Sequence, residues 1–169
     1  NANLQDLHGF VDPGKSTGFG KPSWSLGLTA SKMFLERWTF NLELSHLGFQ
    51  EYAYDDPGGL HASFGSEERI NGSLTYRLHI DPERRLCTDL ILETQYLRLG
   101  RDQENGVAVQ ATGGRILYAL PGVRVYWDRA SFALGYKKPV WTRLNESELQ
   151  QGAEGKERYR ILFNASYLF

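Results

Sequence analysis

The chain has 169 residues, 41% of them hydrophobic, and a formal net charge of −1. This length suits one domain or one small barrel, and the near-neutral charge gives no general attraction to nucleic acid. No segment approaches the run of about 20 apolar residues that a membrane-spanning helix needs, which excludes that class of membrane protein. Cys87 is the only cysteine, so no internal disulfide is possible, and the four scattered histidines give it no zinc-site spacing.

The chain begins with a weakly patterned stretch, residues 1–23. Leu4 and Leu7 hint at a first strand within residues 1–10, and a long polar connection follows at 9–23. From residue 24 onward, apolar and polar residues alternate in one segment after another. Because successive side chains of a strand point to opposite faces, this period predicts β-strands. We therefore expect residues 1–169 to form one all-β domain, with seven clear strands in 24–169 and a possible eighth before them.

The three clearest strands are predicted near residues 24–31, 38–45 and 67–80. Their apolar positions are Trp24, Leu26, Leu28 and Ala30, then Trp38, Phe40, Leu42 and Leu44, then Ile70, Gly72, Leu74, Tyr76, Leu78 and Ile80. The dipeptide Asn71-Gly72 favours a hairpin turn, but the alternation runs through it. We therefore predict one continuous strand there.

Four more strands are predicted at 86–99, 115–128, 131–142 and 157–169. The last of these alternates throughout, with Tyr159, Ile161, Phe163, Ala165, Tyr167 and Phe169 on its apolar side. Pro121 falls inside the segment 115–128. Because proline lacks an N–H group, we predict a bulge or kink at that position.

The predicted connections alternate in length. Short ones lie near 34–37, 81–85 and 128–131, and long polar ones lie at 9–23, 48–66, 100–114 and 143–156. Antiparallel strands with short turns at one end and long loops at the other are typical of bacterial outer-membrane barrels. In such a barrel the parity predicts that the short turns and the C-terminus are periplasmic, and that the long loops are extracellular.

Aromatic residues lie near the ends of the predicted strands. Those beside short turns or the terminus are Trp38, Trp127, Phe132, Tyr167 and Phe169, and those beside long loops are Trp24, Tyr96, Trp141 and Tyr159. Aromatic side chains are enriched at both interfaces of a bilayer, so this placement predicts two aromatic girdles. The alternative is that these rings belong to the core of a soluble β-sandwich.

Solvation decides which face of such a barrel meets lipid. An unpaired polar group in hydrocarbon costs several kcal/mol, so the apolar face points outward and the charged face inward. The charged residues then predicted to line the interior are Glu43, Arg77, Asp89, Glu93, Arg124, Arg158 and Arg160. Their mixed signs allow pairing that offsets desolvation. A soluble sandwich would instead bury the apolar face, and alternation alone does not separate the two cases.

The C-terminal segment resembles the terminal strand by which bacterial outer-membrane proteins are recognised for insertion. Its apolar side carries Phe163, Ala165, Tyr167 and the final Phe169. The resemblance implies a location in the bacterial outer membrane. It also implies that the lipid bilayer and the outer-membrane assembly machinery are partners.

A narrower resemblance rests on several short motifs. They are Thr17-Gly18-Phe19-Gly20, Trp24-Ser25-Leu26-Gly27-Leu28, Gly113-Gly114, Pro121-Gly122-Val123 and Lys138-Pro139-Val140. Together they resemble the C-terminal two-thirds of the outer-membrane channels encoded beside aromatic-degradation pathways, the phenol meta-degradation family. This resemblance implies a twelve-stranded monomeric barrel for the uptake of small hydrophobic molecules. The seven or eight strands visible here fit either a chain without the N-terminal strands or a small eight-stranded barrel.

The expected function is passive passage of small solutes, with no enzymatic activity, no metal and no cofactor. Two alternatives are a lipid-modifying enzyme of the outer membrane and a structural or accessory subunit of an envelope complex. An enzyme of that kind would need a histidine beside a serine and a carboxylate. Ser45 and His46 are strand neighbours and point to opposite faces, whereas His79 is expected on the polar face near Asp81 and Glu83.

Overall fold

The computed structural model describes residues 22–53, 59–145 and 157–169, which form β-strands, turns and irregular segments. The strands are β1 (Trp24–Phe34), β2 (Trp38–Gly48), β3 (Tyr52–Ala53), β4 (His61–Ser63), β5 (Glu67–Asp81), β6 (Leu86–Leu99), β7 (Gln103–Glu104), β8 (Val107–Ala108), β9 (Gly114–Trp127), β10 (Ala130–Leu144) and β11 (Arg160–Tyr167). Within these ranges no helix is present that could cross a bilayer. The strand predicted within residues 1–10 lies outside the described residues.

Seven of the strands form one antiparallel sheet in the order β1-β2-β5-β6-β9-β10-β11. The predicted all-β class with antiparallel, sequential pairing is therefore confirmed. In the part of the chain that the structure describes, β1 pairs only with β2, and β11 pairs only with β10. The sheet thus has two open edges, and closure into a barrel is not seen within these residues.

The strands of this sheet are long. β5 and β10 have 15 residues each, β6 and β9 have 14, and β1 and β2 have 11. Strands in soluble globular proteins usually have about 3–10 residues. The predicted continuity of the third strand is confirmed, because β5 passes through Asn71-Gly72 and pairs on both sides.

All short connections lie at one end of the sheet, as predicted. They span residues 35–37, 82–85 and 128–129, and the Leu168 N–H donates to the Arg129 carbonyl at 2.9 Å, so the chain ends there too. Arg85 Nη1 donates to Asp128 Oδ1 at 2.7 Å and links two of these turns. This hydrogen bond raises the pKa of the Arg85 guanidinium above its usual value, so Arg85 stays charged near neutral pH.

Two of the long connections pair with each other at the opposite end. The connection after β2 supplies β3 and β4, the connection after β6 supplies β7 and β8, and the four make a small second sheet. Ala62 pairs with Glu104 across this contact and is buried. The sequence predicted these segments as loops and gave no sign that they pair.

Three glycines hold the bases of these two connections together. A Cβ atom on Gly65 would lie 2.2 Å from the carbonyl oxygen of Gly100, and one on Gly113 would lie 2.4 Å from the same atom. Gly113 also has a φ of +78°, which residues with a side chain rarely adopt. Glycine is therefore required at this crossing by both space and backbone conformation.

Two register shifts change which residues share a face. The first lies between Arg77 and His79 of β5, so His79 pairs with Thr88 and Ile80 pairs with Cys87. His79 therefore lies on the apolar side, and its predicted place on the polar face is wrong. The second shift lies between Pro139 and Trp141 of β10.

The register of β9 against β6 runs unbroken through Pro121, which lies opposite Leu92. The bulge predicted at Pro121 is therefore not found: the pairs of β9 with β10 skip Pro121 without a change of register, and the register shift lies further along, between Pro139 and Trp141 of β10. Because a bulge accommodates an extra residue on one strand only, β9 continues regularly there.

Candidate functional site

The two faces of the seven-stranded sheet are unequally sheltered. Along β10, the apolar Phe132 and Leu134 are exposed by 44% and 52%, whereas the small Ala133 and Gly135 between them are half-buried. Soluble proteins show the opposite arrangement, with large apolar side chains sheltered and polar ones exposed. The sheet is therefore inverted with respect to a water-soluble fold.

The exposed apolar surface extends across every strand of the sheet. Its members include Leu26, Leu28, Phe40, Leu44, Ile70, Leu90, Leu92, Leu134, Ile161 and Phe163. Contiguous apolar patches on soluble monomers rarely exceed a few hundred Å². Among the described strands, no second layer covers this face, so it is not the dry core that the sandwich alternative requires.

The predicted aromatic residues lie near both ends of this apolar face. At the short-turn end, the Trp38 ring lies 4.7 Å from that of Tyr76, and Trp127 is exposed. At the loop end, Trp141 and Tyr96 both pair with Leu117 in one cross-strand row. Phe132 and Trp141 lie opposite Val125 and Leu117 of β9, which are eight residues apart, or about 27 Å along the strand at a rise of about 3.4 Å per residue.

The remaining predicted aromatics also border the apolar face. Trp24 opposes Gly48 at the loop end of β1, and its ring lies 5.0 Å from that of His46. Tyr159 precedes β11 and stacks on Tyr136 with 5.7 Å between ring centroids. The aromatics thus border the apolar face at both of its ends.

The opposite face of the sheet, the polar face, is concave. It carries charged residues such as Asp89 and Arg124 and, toward the loop end, a buried apolar cluster of Ile116, Tyr118 and Leu120. One cavity of about 220 Å³ is lined by residues that include Met33 of β1 and Tyr126 of β9. In a flat sheet these strands, four positions apart, would be separated by about 19 Å. Lys137 of β10 also reaches across β9, over the Tyr118 ring at 3.9 Å, and donates to Gln95 of β6 at 2.9 Å. The first observation requires curvature toward the polar side, and the second agrees with it.

A buried carboxylate organises the short-turn end of this concave face. Asp89 is 4% exposed and lies in register with Arg77 on one side and Arg124 on the other. Arg77 Nε donates to Asp89 Oδ1 at 3.1 Å, and the Cys87 thiol donates to the same oxygen at 3.5 Å. A second, longer contact joins Arg77 Nη2 to Asp89 Oδ2 at 3.4 Å, so the pair has the two-armed geometry that arginine and carboxylate favour.

Arg124 keeps a charge that no described carboxylate neutralises through an ion pair. Its Nη1 atom lies 3.4 Å from the hydroxyl of Tyr126 on the same strand. Both residues line the 220 Å³ cavity, together with Arg37 from the first short turn. Among the described lining residues, three arginines thus face two carboxylates, the exposed Glu36 and the buried Asp89, which leaves a small excess of positive charge.

Most of the other residues predicted for the interior share this face. Glu43 Oε2 accepts from Asn71 Nδ2 at 3.3 Å, and Glu93 opposes Ser73 in the register. Arg160 opposes Lys137 and donates to Glu157 at 2.8 Å. Arg158 precedes β11 and is exposed, so the structure does not place it in the sheet.

Sequence reasoning missed several polar-face contacts. Ser31 donates to Asn41 Oδ1 at 2.6 Å, and Asn41 Nδ2 donates to Ser73 Oγ at 3.0 Å, which links three strands. The alternation contained these residues, but only charged positions were selected as interior candidates. Arg37 was missed because it lies in a turn, where periodicity carries no information.

The described histidines do not meet the carboxylates of the polar face. His46 and His79 lie on the apolar side, and His61 of the small sheet contacts Glu51 at 2.7 Å. Within the described ranges, no three residues among His, Cys, Asp and Glu lie close enough to hold a metal ion. The chemistry that this face offers is therefore a charged, hydrogen-bonding surface.

The residues of the predicted insertion signal lie together. Phe163 opposes Leu134 and Ala165 opposes Phe132, so both share the apolar face. Tyr167 ends β11, and its ring contacts that of Phe169 in an edge-to-face arrangement with centroids 5.6 Å apart. All four residues are exposed on the last strand or directly after it.

Comparisons with protein-family models, with curated proteins and with solved structures gave no match to this chain.

Proposed function

We propose that this chain forms part of the wall of a bacterial outer-membrane β-barrel and serves the passive passage of small solutes. The observation that carries this proposal is the inverted sheet. Its large apolar side chains are exposed on the convex side, whereas on the concave side Asp89 is buried and Arg77, Glu93 and Arg124 are half-buried. This is the arrangement that hydrocarbon outside and water inside would stabilise.

Strand dimensions support the same proposal. A strand that crosses a bilayer needs about 9–11 residues at a tilt of about 45°. All but one of the seven strands in the large sheet reach or exceed that length. The sidedness expected for such barrels also fits, with short turns and the C-terminus on the periplasmic side.

In the proposed barrel, the two open edges of the sheet must be paired with further strands. Unpaired backbone groups of β1 and β11 would each cost several kcal/mol in lipid. Strands beyond the described residues, or a second chain, must therefore pair with both edges. The family suggested by the sequence motifs would complete the wall with twelve strands, which leaves an open passage. Its role in the uptake of small hydrophobic molecules is part of the proposal.

The orientation of the two faces is tested by a pair of adjacent positions. In a Cys87→Ser background, Leu134→Cys and Ala133→Cys each provide one thiol for a bimane fluorophore on opposite faces of β10. In reconstituted vesicles, we expect spin-labelled lipid to quench bimane at position 134 much more than at position 133. Aqueous iodide should show the opposite order, because position 133 lies on the concave side.

The same experiment separates this proposal from its alternatives. Equal lipid quenching at both positions, or iodide quenching stronger at 134 than at 133, would contradict the orientation. Full protection of position 134 from lipid and from iodide would mean that protein covers the apolar face, as in an accessory subunit of a complex.

Passage of solutes is tested by planar-bilayer recording of Arg124→Ala. Because Arg124 adds unneutralised positive charge to the concave face, its removal should shift the reversal potential in a salt gradient toward cation preference. Lys138→Ala is the matched control, since Lys138 pairs with Ala119 on the convex face and the loss of charge is the same. A reversal potential unchanged by Arg124→Ala would contradict a position in the conducting passage. Absence of conductance in the unmodified protein would contradict the channel function.

A further inference from the structure

An arginine-rich row crosses the apolar side of the sheet at its loop end. Glu68, Arg98, Arg115 and Arg143 follow one another on four adjacent strands, each directly opposite the next. They lie two residues beyond Ile70, Tyr96, Leu117 and Trp141, which form the neighbouring row on the same face. The charged row therefore begins where the apolar band ends.

Only part of the positive charge in this row is paired with a carboxylate. Arg98 Nη1 donates to Glu68 Oε2 at 2.8 Å. Within the described ranges, Arg115 and Arg143 have no acidic partner, although each opposes another arginine in the register. Like charges directly opposite each other on a sheet are destabilising. An anion bound between these side chains would remove that repulsion.

The space for such an anion exists. A cleft of about 350 Å³ is lined by Arg98, Leu99, Gly100, Arg101, Gly114, Arg115, Arg143 and Asn145. Among the described residues that line it, four are arginines and none is a carboxylate. Guanidinium groups bind phosphate oxygens through two parallel hydrogen bonds, and several of them together are typical of phosphate sites.

We propose that Arg98, Arg101, Arg115 and Arg143 bind the phosphate group of an amphiphile whose acyl chains lie on the adjacent apolar face. A free phosphate ion would satisfy the same charges. The position favours a lipid headgroup, because the row lies about 5 Å beyond the aromatic row for a tilt of about 40°, at the level where headgroups meet acyl chains. This identification of the ligand rests on the proposed orientation in the membrane.

The test measures lipid preference beside the arginine row. Leu117→Cys in the Cys87→Ser background places a bimane fluorophore on the apolar face directly beneath Arg115. The protein is reconstituted in phosphatidylcholine vesicles that contain a small fraction of spin-labelled phosphatidic acid or spin-labelled phosphatidylcholine. We expect phosphatidic acid to reach half-maximal quenching at a much lower mole fraction.

Neutralisation of two arginines identifies the site. The attraction of one arginine to anionic lipid corresponds to about a fivefold gain in affinity. Replacing two of them, by Arg115→Gln with Arg143→Gln, should therefore reduce the preference for phosphatidic acid over phosphatidylcholine by about tenfold or more. Arg84→Gln with Arg129→Gln removes the same charge from the short-turn end and should leave it unchanged. Equal quenching by both lipids, or equal loss in both double variants, would overturn the site.

A competition experiment distinguishes a lipid headgroup from a free phosphate ion. Millimolar inorganic phosphate should displace spin-labelled phosphatidic acid only weakly, because it lacks the acyl chains that hold a lipid at the apolar face. Complete displacement would overturn the assignment to a lipid. Failure of the proposed function is recognised separately, because the fluorophore at position 134 would then escape lipid quenching altogether.

Discussion

Replacing Leu74 with arginine is expected to lower the free energy of unfolding from phospholipid vesicles by about 2–4 kcal/mol, the range for a lipid-facing cation near the bilayer midplane. Leu74 lies at the centre of the 15-residue strand β5, opposite Phe40 and Leu92 on the convex face. In the orientation proposed above, an arginine at this position would bring an unpaired charge into hydrocarbon, far from either interface. Denaturant titration of the reconstituted protein measures the effect.

The neighbouring position provides the matched control. Ser73 lies on the concave face of β5, between Asn41 and Glu93 in the register. Ser73→Arg introduces the same side chain one residue away, where Glu93 is available to pair with it. We expect the change in unfolding free energy to stay within about 1 kcal/mol. If Ser73→Arg destabilised the protein as much as Leu74→Arg, the two faces would not differ in their surroundings.

The second large effect is expected at Asp89. Asp89→Ala removes a carboxylate that is 4% exposed and leaves Arg77 and Arg124 facing each other across its empty place. Loss of a buried acceptor that is bonded to a charged donor costs about 1.5–3 kcal/mol of stability. Because Arg77 is partly exposed, water can solvate its charge after the substitution, so we expect the cost to stay within this range. Denaturant titration in vesicles is the measurement.

Two further variants separate charge from packing at this position. Asp89→Asn keeps the size of the side chain and removes its charge, so we expect a smaller loss of stability than with alanine. Glu93→Gln, on the same face of the same strand, removes a carboxylate that has no ion pair among the described residues and should change stability by less than about 0.5 kcal/mol. A similar effect for Asp89→Ala and Glu93→Gln would exclude an organising role for Asp89.

The extent of the long strands could be predicted because alternation is a local property. In β10 and β11, for example, Phe132 and Phe163 were correctly placed on the apolar side from their spacing alone. The positions of the short turns followed from the same pattern. His79 shows the limit of this reasoning, since one extra residue in β5 moves every later side chain to the other face.

The contacts of the candidate site were less accessible to sequence reasoning. That Asp89 would be buried between two arginines depends on the register of three strands, which no local pattern specifies. Lys137 meets Gln95 only through the register of β6, β9 and β10. The arginine row at the loop end was likewise hidden, because Arg98, Arg115 and Arg143 lie far apart in the sequence and meet only through strand pairing.

The glycine crossing has a consequence for engineering the protein. Gly65, Gly100 and Gly113 leave no room for even one methyl group where the bases of two connections touch. A peptide grafted near any of these three residues would have to separate two chain segments that are fixed to each other, so both would shift together. Insertions for display or tagging should instead be directed to the position after Gly106, which has open space around it, and should leave Asn105 in place, because its N–H and Oδ1 both bond to His61.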